Sequence, residues 1–176
     1  MERFAVKRGL EKSIGGNEGL AKVAADFFDD VSTDSDGSFS GSYGILTGVT
    51  GHFGDDGKLV VDVVQMKGDD LDVFLSSDSG REKAMESRKR WSTFLDNVTG
   101  YNAKQRGDKA KEWAKKASKA KSAVSSARHF MELSNNISDE QITTANSLID
   151  EIEKLLAAED NTKAAGRAEK LNKLFN

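Results

Sequence analysis

The sequence contains no cysteine and no proline, and only two of its 176 residues are histidines. Without cysteine the chain forms no disulfide, no thiolate zinc site and no catalytic thiol. Without proline, its turns have to be made by Gly, Asn, Asp and Ser. His52 and His129 lie far apart on different predicted elements, which excludes a histidine-rich metal site and leaves two candidate bases for a Ser-His-Asp triad. These absences remove most enzyme classes from consideration.

Long apolar segments are absent too. No apolar run approaches the ~20 residues that span a bilayer. Charges are scattered through the first residues, so no signal peptide is expected. With 37% hydrophobic and 31% charged residues, the composition is that of a globular protein. We expect a cytoplasmic protein without membrane association, built as one domain or as one domain with an appendage.

Charge is strongly segregated along the chain. The net charge of −3 combines +2 for residues 1–25, −10 for residues 26–80, +9 for residues 81–128 and −4 for residues 129–176. Such segregation can indicate a charged partner. Equally, the acidic and basic segments of one molecule can neutralise each other, and the sequence leaves both interpretations open.

The first hundred residues predict an α+β domain. Phe4 and Val6 alternate with polar residues, which favours a short strand. Asn17 is placed to cap a helix, and the STDSDGS segment after that helix predicts a loop. Period-two alternation between residues 38 and 66 predicts a β-meander. We therefore expect a small antiparallel sheet of about four strands packed on helices.

Helices dominate the remainder of the chain. One is predicted over residues 79–98, with an apolar stripe that includes Met85 and Arg88. Another is predicted over residues 103–133, and a capping box of Ser138 with Gln141 opens a third, which a short last helix follows. Together these helices predict a helical hairpin or three-helix extension. The inward positions expected on the 103–133 helix are Ala110, Trp113, Ala117, Ala120, Val124, Ala127 and Met131.

Three segments resemble a family of small uncharacterised archaeal α+β domains. They are FAVKRG at 4–9, SYGIL at 42–46 and RWSTFLDNVTGYNAKQR at 90–106. The resemblance implies an antiparallel sheet packed on helices in an archaeal, cytoplasmic setting, and it brings no catalytic residues. It covers roughly residues 1–118, beyond which the chain looks like a helical addition. We divide the chain into an α+β domain at 1–100 and a basic helix with a helical extension at 101–176.

Sequence motifs for phosphate or calcium binding fail on spacing. In GHFGDDGK the glycines are one residue too far apart for a Walker loop, and Leu59 stands where Ser or Thr should bind magnesium. With Gly37 as the sixth residue of a calcium loop, Tyr43 falls where a bidentate Glu is needed. His52 is expected to face out of its strand and His129 to be partly buried. We predict no catalytic residues, no metal site, no cofactor and no enzymatic activity.

A run of basic residues marks the 103–133 helix. At 100° per residue, Lys104, Lys111, Lys115 and Lys119 fall within an arc of about 80°, opposite the apolar stripe. A stable exposed helix usually mixes Glu with Lys, yet acids are few here. The candidate nucleic-acid-binding residues are Lys104, Arg106, Lys109, Lys111, Lys115, Lys116, Lys119 and Lys121.

Two functions follow from these patterns. The first is a non-enzymatic protein that binds the phosphate backbone of RNA, including ribosomal RNA, or of DNA without sequence preference. The second is an interaction module whose C-terminal helices bind a protein partner or a second copy in a homodimer. If the basic face is only solvated, it requires no ligand at all.

Overall fold

The structure is a computed structural model that describes residues 1–134 and 136–175. The chain forms two compact units, an N-terminal unit of residues 1–107 and a helical unit of residues 108–176. The elements in chain order are β1 (Glu2–Phe4), α1 (Leu10–Ile14), α2 (Gly16–Ala25), β2 (Asp29–Thr33), β3 (Phe39–Tyr43), β4 (Leu46–Phe53), β5 (Leu59–Gln65), α3 (Gly68–Leu75), α4 (Asp78–Thr99), α5 (Ala103–Leu133), α6 (Asp139–Ala157) and α7 (Asn161–Leu174).

An antiparallel sheet with helices against it confirms the α+β prediction. Its strand order is β1-β5-β4-β3-β2, and every neighbouring pair is antiparallel. Within the described residues the sheet has five strands, so the expected number of about four was one too low. The strand that the sequence did not reveal is β2, whose segment DDVST shows no apolar alternation. As an edge strand, β2 needs none, because it is held by its backbone pairing with β3.

Core residues of the N-terminal unit come from α2, α4 and alternate positions of the sheet. Leu20 of α2, Phe94 of α4, and Val49 with Phe53 of β4 belong to one buried cluster. Thr50, between the last two, is exposed. The period-two alternation seen in the sequence thus separates a covered face from an open face of the sheet.

Two local expectations in this unit were wrong. Asn17 does not cap α2, since the helix already begins at Gly16; its side chain instead accepts a hydrogen bond of 2.7 Å from the backbone N–H of Phe53. On α4, Met85 and Arg88 are exposed, while Ser87 is fully buried. The Ser87 hydroxyl lies 2.7 Å from the carbonyl of Lys83 and 3.2 Å from the N–H of Ile45. A polar residue can therefore occupy the buried stripe where its hydrogen bonds are satisfied.

Helices α6 and α7 of the helical unit pack with α5 around a shared core. It is made of Ala120, Ala123, Val124 and Ala127 from α5, with Ala145, Ile149, Ile152, Ala164, Ala168 and Leu171 from the other two helices. The predicted capping box is present, with Ser138 and Gln141 bonding each other's backbone N–H. The prediction of a helical extension is therefore confirmed, in its three-helix form.

The expected inward stripe of α5 is correct only over its second half. Ala120, Val124 and Ala127 are buried, but Ala110 is exposed and Trp113 is half-buried. Asn161, the first residue of α7, donates a hydrogen bond of 3.4 Å to the carbonyl of Trp113. Because α7 begins at that level, its apolar residues cover α5 only beyond Trp113. Periodicity alone could not show where this packing starts.

Candidate nucleic-acid interface on helix α5

Two local signals position the start of α5. Gly100 ends α4 in the left-handed region at φ 72°, and its N–H donates to the carbonyl of Asp96. Asn102 and Gln105 then form reciprocal hydrogen bonds of 3.0 and 2.9 Å between side chain and backbone. This capping box satisfies amide groups that a helix start leaves without partners. Sequence alone located the junction correctly.

Arg106 lies away from the exposed basic face. Its side chain is 7% exposed; its guanidinium pairs with the carboxylate of Asp96 and donates a hydrogen bond of 2.6 Å to the carbonyl of Tyr101. Arg106 therefore ties the first turn of α5 to the end of α4. A guanidinium engaged in this way is not presented to a ligand.

Removing this tie should destabilise the N-terminal unit. We expect Asp96→Asn to lower the free energy of unfolding by about 1–2 kcal/mol, because it leaves the Arg106 guanidinium buried without its counter-charge. The loss is smaller than for a fully buried pair, since the Asp96 side chain is 43% exposed. Urea denaturation measures the change. Glu112→Gln, in an exposed pair, is the control and should leave stability unchanged; an equal result for both variants would show that Arg106 is adequately solvated.

Three of the candidate lysines, here the paired lysines, already have acidic partners. Lys109 and Lys116 contact the Glu112 carboxylate at 3.1 and 3.0 Å. Lys119 contacts Glu169 of α7 at 2.7 Å. Hydrogen bonds from Lys116 and Lys109 lower the pKa of Glu112, and the hydrogen bond from Lys119 lowers that of Glu169. Both carboxylates are therefore ionised near neutral pH, with Glu112 shared between Lys109 and Lys116 and Glu169 paired with Lys119.

The other four, here the free lysines, are Lys104, Lys111, Lys115 and Lys121. All are exposed, and none has an ion pair among the described residues. Lys104 lies in the N-terminal unit, and the other three lie in the helical unit. Lys111 and Lys115 are about one turn, or ~6 Å, apart along the axis. Lys121 lines a groove between α5 and α6 together with Arg128, Glu132 and Glu153. The free lysines give α5 positive charge that forms no ion pair within the described residues.

Aromatic groups near the free lysines are few. Tyr101 is half-buried, and its carbonyl accepts a hydrogen bond from Arg106. Trp113 is also half-buried. Stacking on bases needs an exposed ring face, so this surface is suited to contacts with a charged backbone more than to reading bases.

Groups suited to other chemistry are scattered. The Ser38 hydroxyl lies 3.3 Å from Nδ1 of His52, on a half-buried part of the sheet. His129 is exposed, contrary to the expectation of partial burial, because α5 turns it away from the core. Over residues 1–134 and 136–175, no cluster of three or more potential ligands is placed to hold a metal. No helix in that part of the chain has the length and apolarity to span a bilayer.

A family model described as "Domain of unknown function (DUF5611)" matches residues 1–112. The chain belongs to this family. The match to DUF5611 confirms the resemblance to an uncharacterised domain family, while the archaeal setting stays a prediction. Neither the comparison with curated proteins nor the comparison with solved structures found a match.

The DUF5611 match takes in the N-terminal unit and the beginning of α5. Lys104, Lys109 and Lys111 lie within it, whereas Lys115, Lys116, Lys119 and Lys121 lie beyond residue 112. Helices α6 and α7 also lie beyond the match. Half of the free lysines thus belong to the family segment and half to the helical addition.

Proposed function

We propose that this DUF5611 protein is a non-enzymatic binding protein that contacts the phosphate backbone of RNA or DNA, without sequence preference, through the free lysines of α5. The observation that carries the proposal is the imbalance of charge on this helix. Three lysines have carboxylate partners, while four exposed lysines have no ion pair among the described residues. Ion pairs within the molecule account for the paired lysines but not for the free lysines.

The chemistry of an ammonium group on a flexible stem supports backbone contact over base recognition. Lysine acts as a point charge toward phosphate and does not impose a bidentate geometry. Each phosphate contact releases condensed counterions, which makes the affinity strongly dependent on salt. Such contacts position a protein on a nucleic acid but carry no sequence information.

The alternative, a module that docks partners through its C-terminal helices, has less support. The apolar stripes that the sequence offered for docking include Ile149 and Ile152 of α6 and Leu171 of α7. These side chains are buried within their own unit, at 2% exposure or less. They contribute to the core of the helical unit and are not presented to a partner. Among the described residues of the helical unit, the large apolar side chains that are exposed are Phe130 and Leu133.

A salt titration with matched variants tests the proposal. We expect micromolar binding to mixed-sequence RNA and duplex DNA at low salt, measured by fluorescence anisotropy. Changing the free lysines of the helical unit, Lys111, Lys115 and Lys121, to Gln should flatten the slope of log K against log salt on duplex DNA by about 2.7, since each contact contributes ~0.9. The variant should also bind at least tenfold more weakly at the lowest salt.

The control changes the paired lysines, Lys109, Lys116 and Lys119, to Gln. It removes the same charge from the same helix, but we expect its salt slope to change by less than about one. Equal losses in both variants would mean that net charge, and not the free lysines, drives binding. Absence of binding by the wild type at low salt would leave α5 as a solvated face and refute the proposal.

A further inference from the structure

A groove of about 520 Å³ runs between α6 and α7 of the helical unit. Its volume lies within the range of small-molecule sites, which are typically 300–1,000 Å³ and mainly apolar with a few polar groups. Leu155 of α6 and Gly166 of α7 line it, together with aliphatic stems of surrounding basic side chains. It lies apart from the free lysines, none of which lines it.

Gly166 keeps this groove open. It is an exposed residue in the interior of α7, where Gly is less favourable than Ala. A Cβ atom at this position would meet no other atom within 4 Å. Packing of the helices therefore does not require glycine here, and any larger side chain would project into the groove.

The residues around the groove are mostly cationic. Lys154, Lys163, Arg167 and Lys170 line it, against a single acid, Glu151. Arg167 pairs with Glu151 at 2.8 Å, and Lys163 pairs with Asp160 at 2.8 Å. Lys154 and Lys170 are exposed and have no ion pair among the described residues. The groove thus combines an apolar floor with two cationic groups that no acid offsets.

Sequence reasoning gave no indication of this site. Residues 129–176 carry a net charge of −4 as a block, which conceals a local excess of positive charge. Lys154 comes from one helix and Lys170 from the next, and only the packing of α6 against α7 brings their lining positions to one groove.

We propose that the α6–α7 groove binds a single-chain amphiphile with an anionic head group. The chain would lie on Leu155 and over Gly166, where removal of its CH₂ groups from water favours binding. The head group would contact the ammonium groups of Lys154 and Lys170, whose stems cover the sides of the chain. The inference goes beyond the proposed nucleic-acid binding and does not depend on it.

Calorimetric titration of the full chain with decyl phosphate, kept below its micelle-forming concentration, tests the proposal. We expect saturable binding of one molecule per chain. Inorganic phosphate, which lacks the chain, and decyltrimethylammonium, which reverses the head-group charge, should each bind at least tenfold more weakly. Equal binding of either probe would overturn the proposal, as would association only with anionic lipid vesicles, which would indicate a membrane surface in place of the groove.

Two glycine variants separate the groove from the rest of the protein. Gly166→Leu should fill the groove and weaken decyl phosphate binding at least tenfold without loss of thermal stability. Gly107→Leu is the matched control, because Gly107 is also an exposed glycine in a helix whose Cβ would meet nothing within 4 Å. It should bind decyl phosphate like the wild type, and equal weakening in both variants would refute the groove as the site.

Charge removal completes the test. Lys154→Gln combined with Lys170→Gln should weaken decyl phosphate binding about tenfold, whereas Lys111→Gln combined with Lys115→Gln should leave it unchanged. Nucleic-acid anisotropy on Gly166→Leu should match the wild type. The two proposals can therefore fail separately: loss of amphiphile binding in the Lys111 and Lys115 variant would overturn this one, while leaving the salt titration to decide the other.

Discussion

Phe94→Ala is expected to lower the free energy of unfolding of the N-terminal unit by about 3–5 kcal/mol, as for other buried Phe-to-Ala changes. Phe94 is 0% exposed. Its ring centroid lies 5.1 Å from that of Phe28, 5.6 Å from that of Phe39 and 5.8 Å from that of Trp91. The substitution removes the ring where α2, α4 and the sheet meet, so it loses apolar burial and edge-to-face contacts together.

The comparison variant is Met85→Ala on the same helix. Met85 was expected in the apolar stripe of α4 but is 72% exposed, so its removal should change stability by less than about 0.5 kcal/mol. Urea unfolding followed by Trp91 fluorescence, in a Trp113→Phe background, reports on the N-terminal unit alone. A small effect of Phe94→Ala beside a large effect of Met85→Ala would mean that the core is assigned to the wrong face of α4.

Gly19→Ala should strongly destabilise the N-terminal unit. A Cβ atom on Gly19 would lie 1.7 Å from the carbonyl oxygen of Ile14. That oxygen belongs to the last residue of α1. Because it is a backbone atom, no change of side-chain rotamer can relieve the clash. Overpacking typically costs 1–3 kcal/mol, and we expect about 3 kcal/mol here because the backbone itself has to move.

The same substitution at Gly166 should have the opposite sign. Gly19 and Gly166 both lie inside helices, but Gly166 has open space where the Cβ would be placed. Alanine there should stabilise α7 by up to about 1 kcal/mol through its higher helix propensity. Thermal and urea unfolding of the two variants provide the test. If Gly19→Ala were also stabilising, α1 and α2 could not approach each other as closely as described.

Binding experiments on this protein have to keep its two surfaces distinct. The free lysines of α5 are proposed to act through their charge, whereas the α6–α7 groove is proposed to combine charge with contact to an apolar chain. High salt should therefore weaken nucleic-acid binding steeply, while an amphiphile keeps the part of its affinity that comes from its chain. A comparison of the two salt dependences on one protein sample would show whether the surfaces act independently.

Local signals in the sequence determined the helices of the second half of the chain. The capping boxes at Asn102 and Ser138 and the glycine at residue 100 depend on residues within four positions of each other, so the sequence located the starts of α5 and α6 and the end of α4. The α+β class and the run of lysines on α5 could also be predicted from the sequence, since alternation, helical periodicity and charge are properties of neighbouring residues.

Tertiary structure alone decided which basic groups pair with acids of another helix, whereas Lys109 and Lys116 pair with Glu112 on their own helix. Arg106 pairs with Asp96 across the α4–α5 turn, and Lys119 pairs with Glu169, which lies fifty positions away in the sequence. Strand β2 is held by its pairing with β3. Asn17 does not cap a helix, because its side chain accepts a hydrogen bond from the backbone N–H of Phe53. Lys154 and Lys170 line one groove only because α6 packs on α7. In each case the partner is distant in sequence, and a one-dimensional pattern carries no information about which distant groups will meet in space.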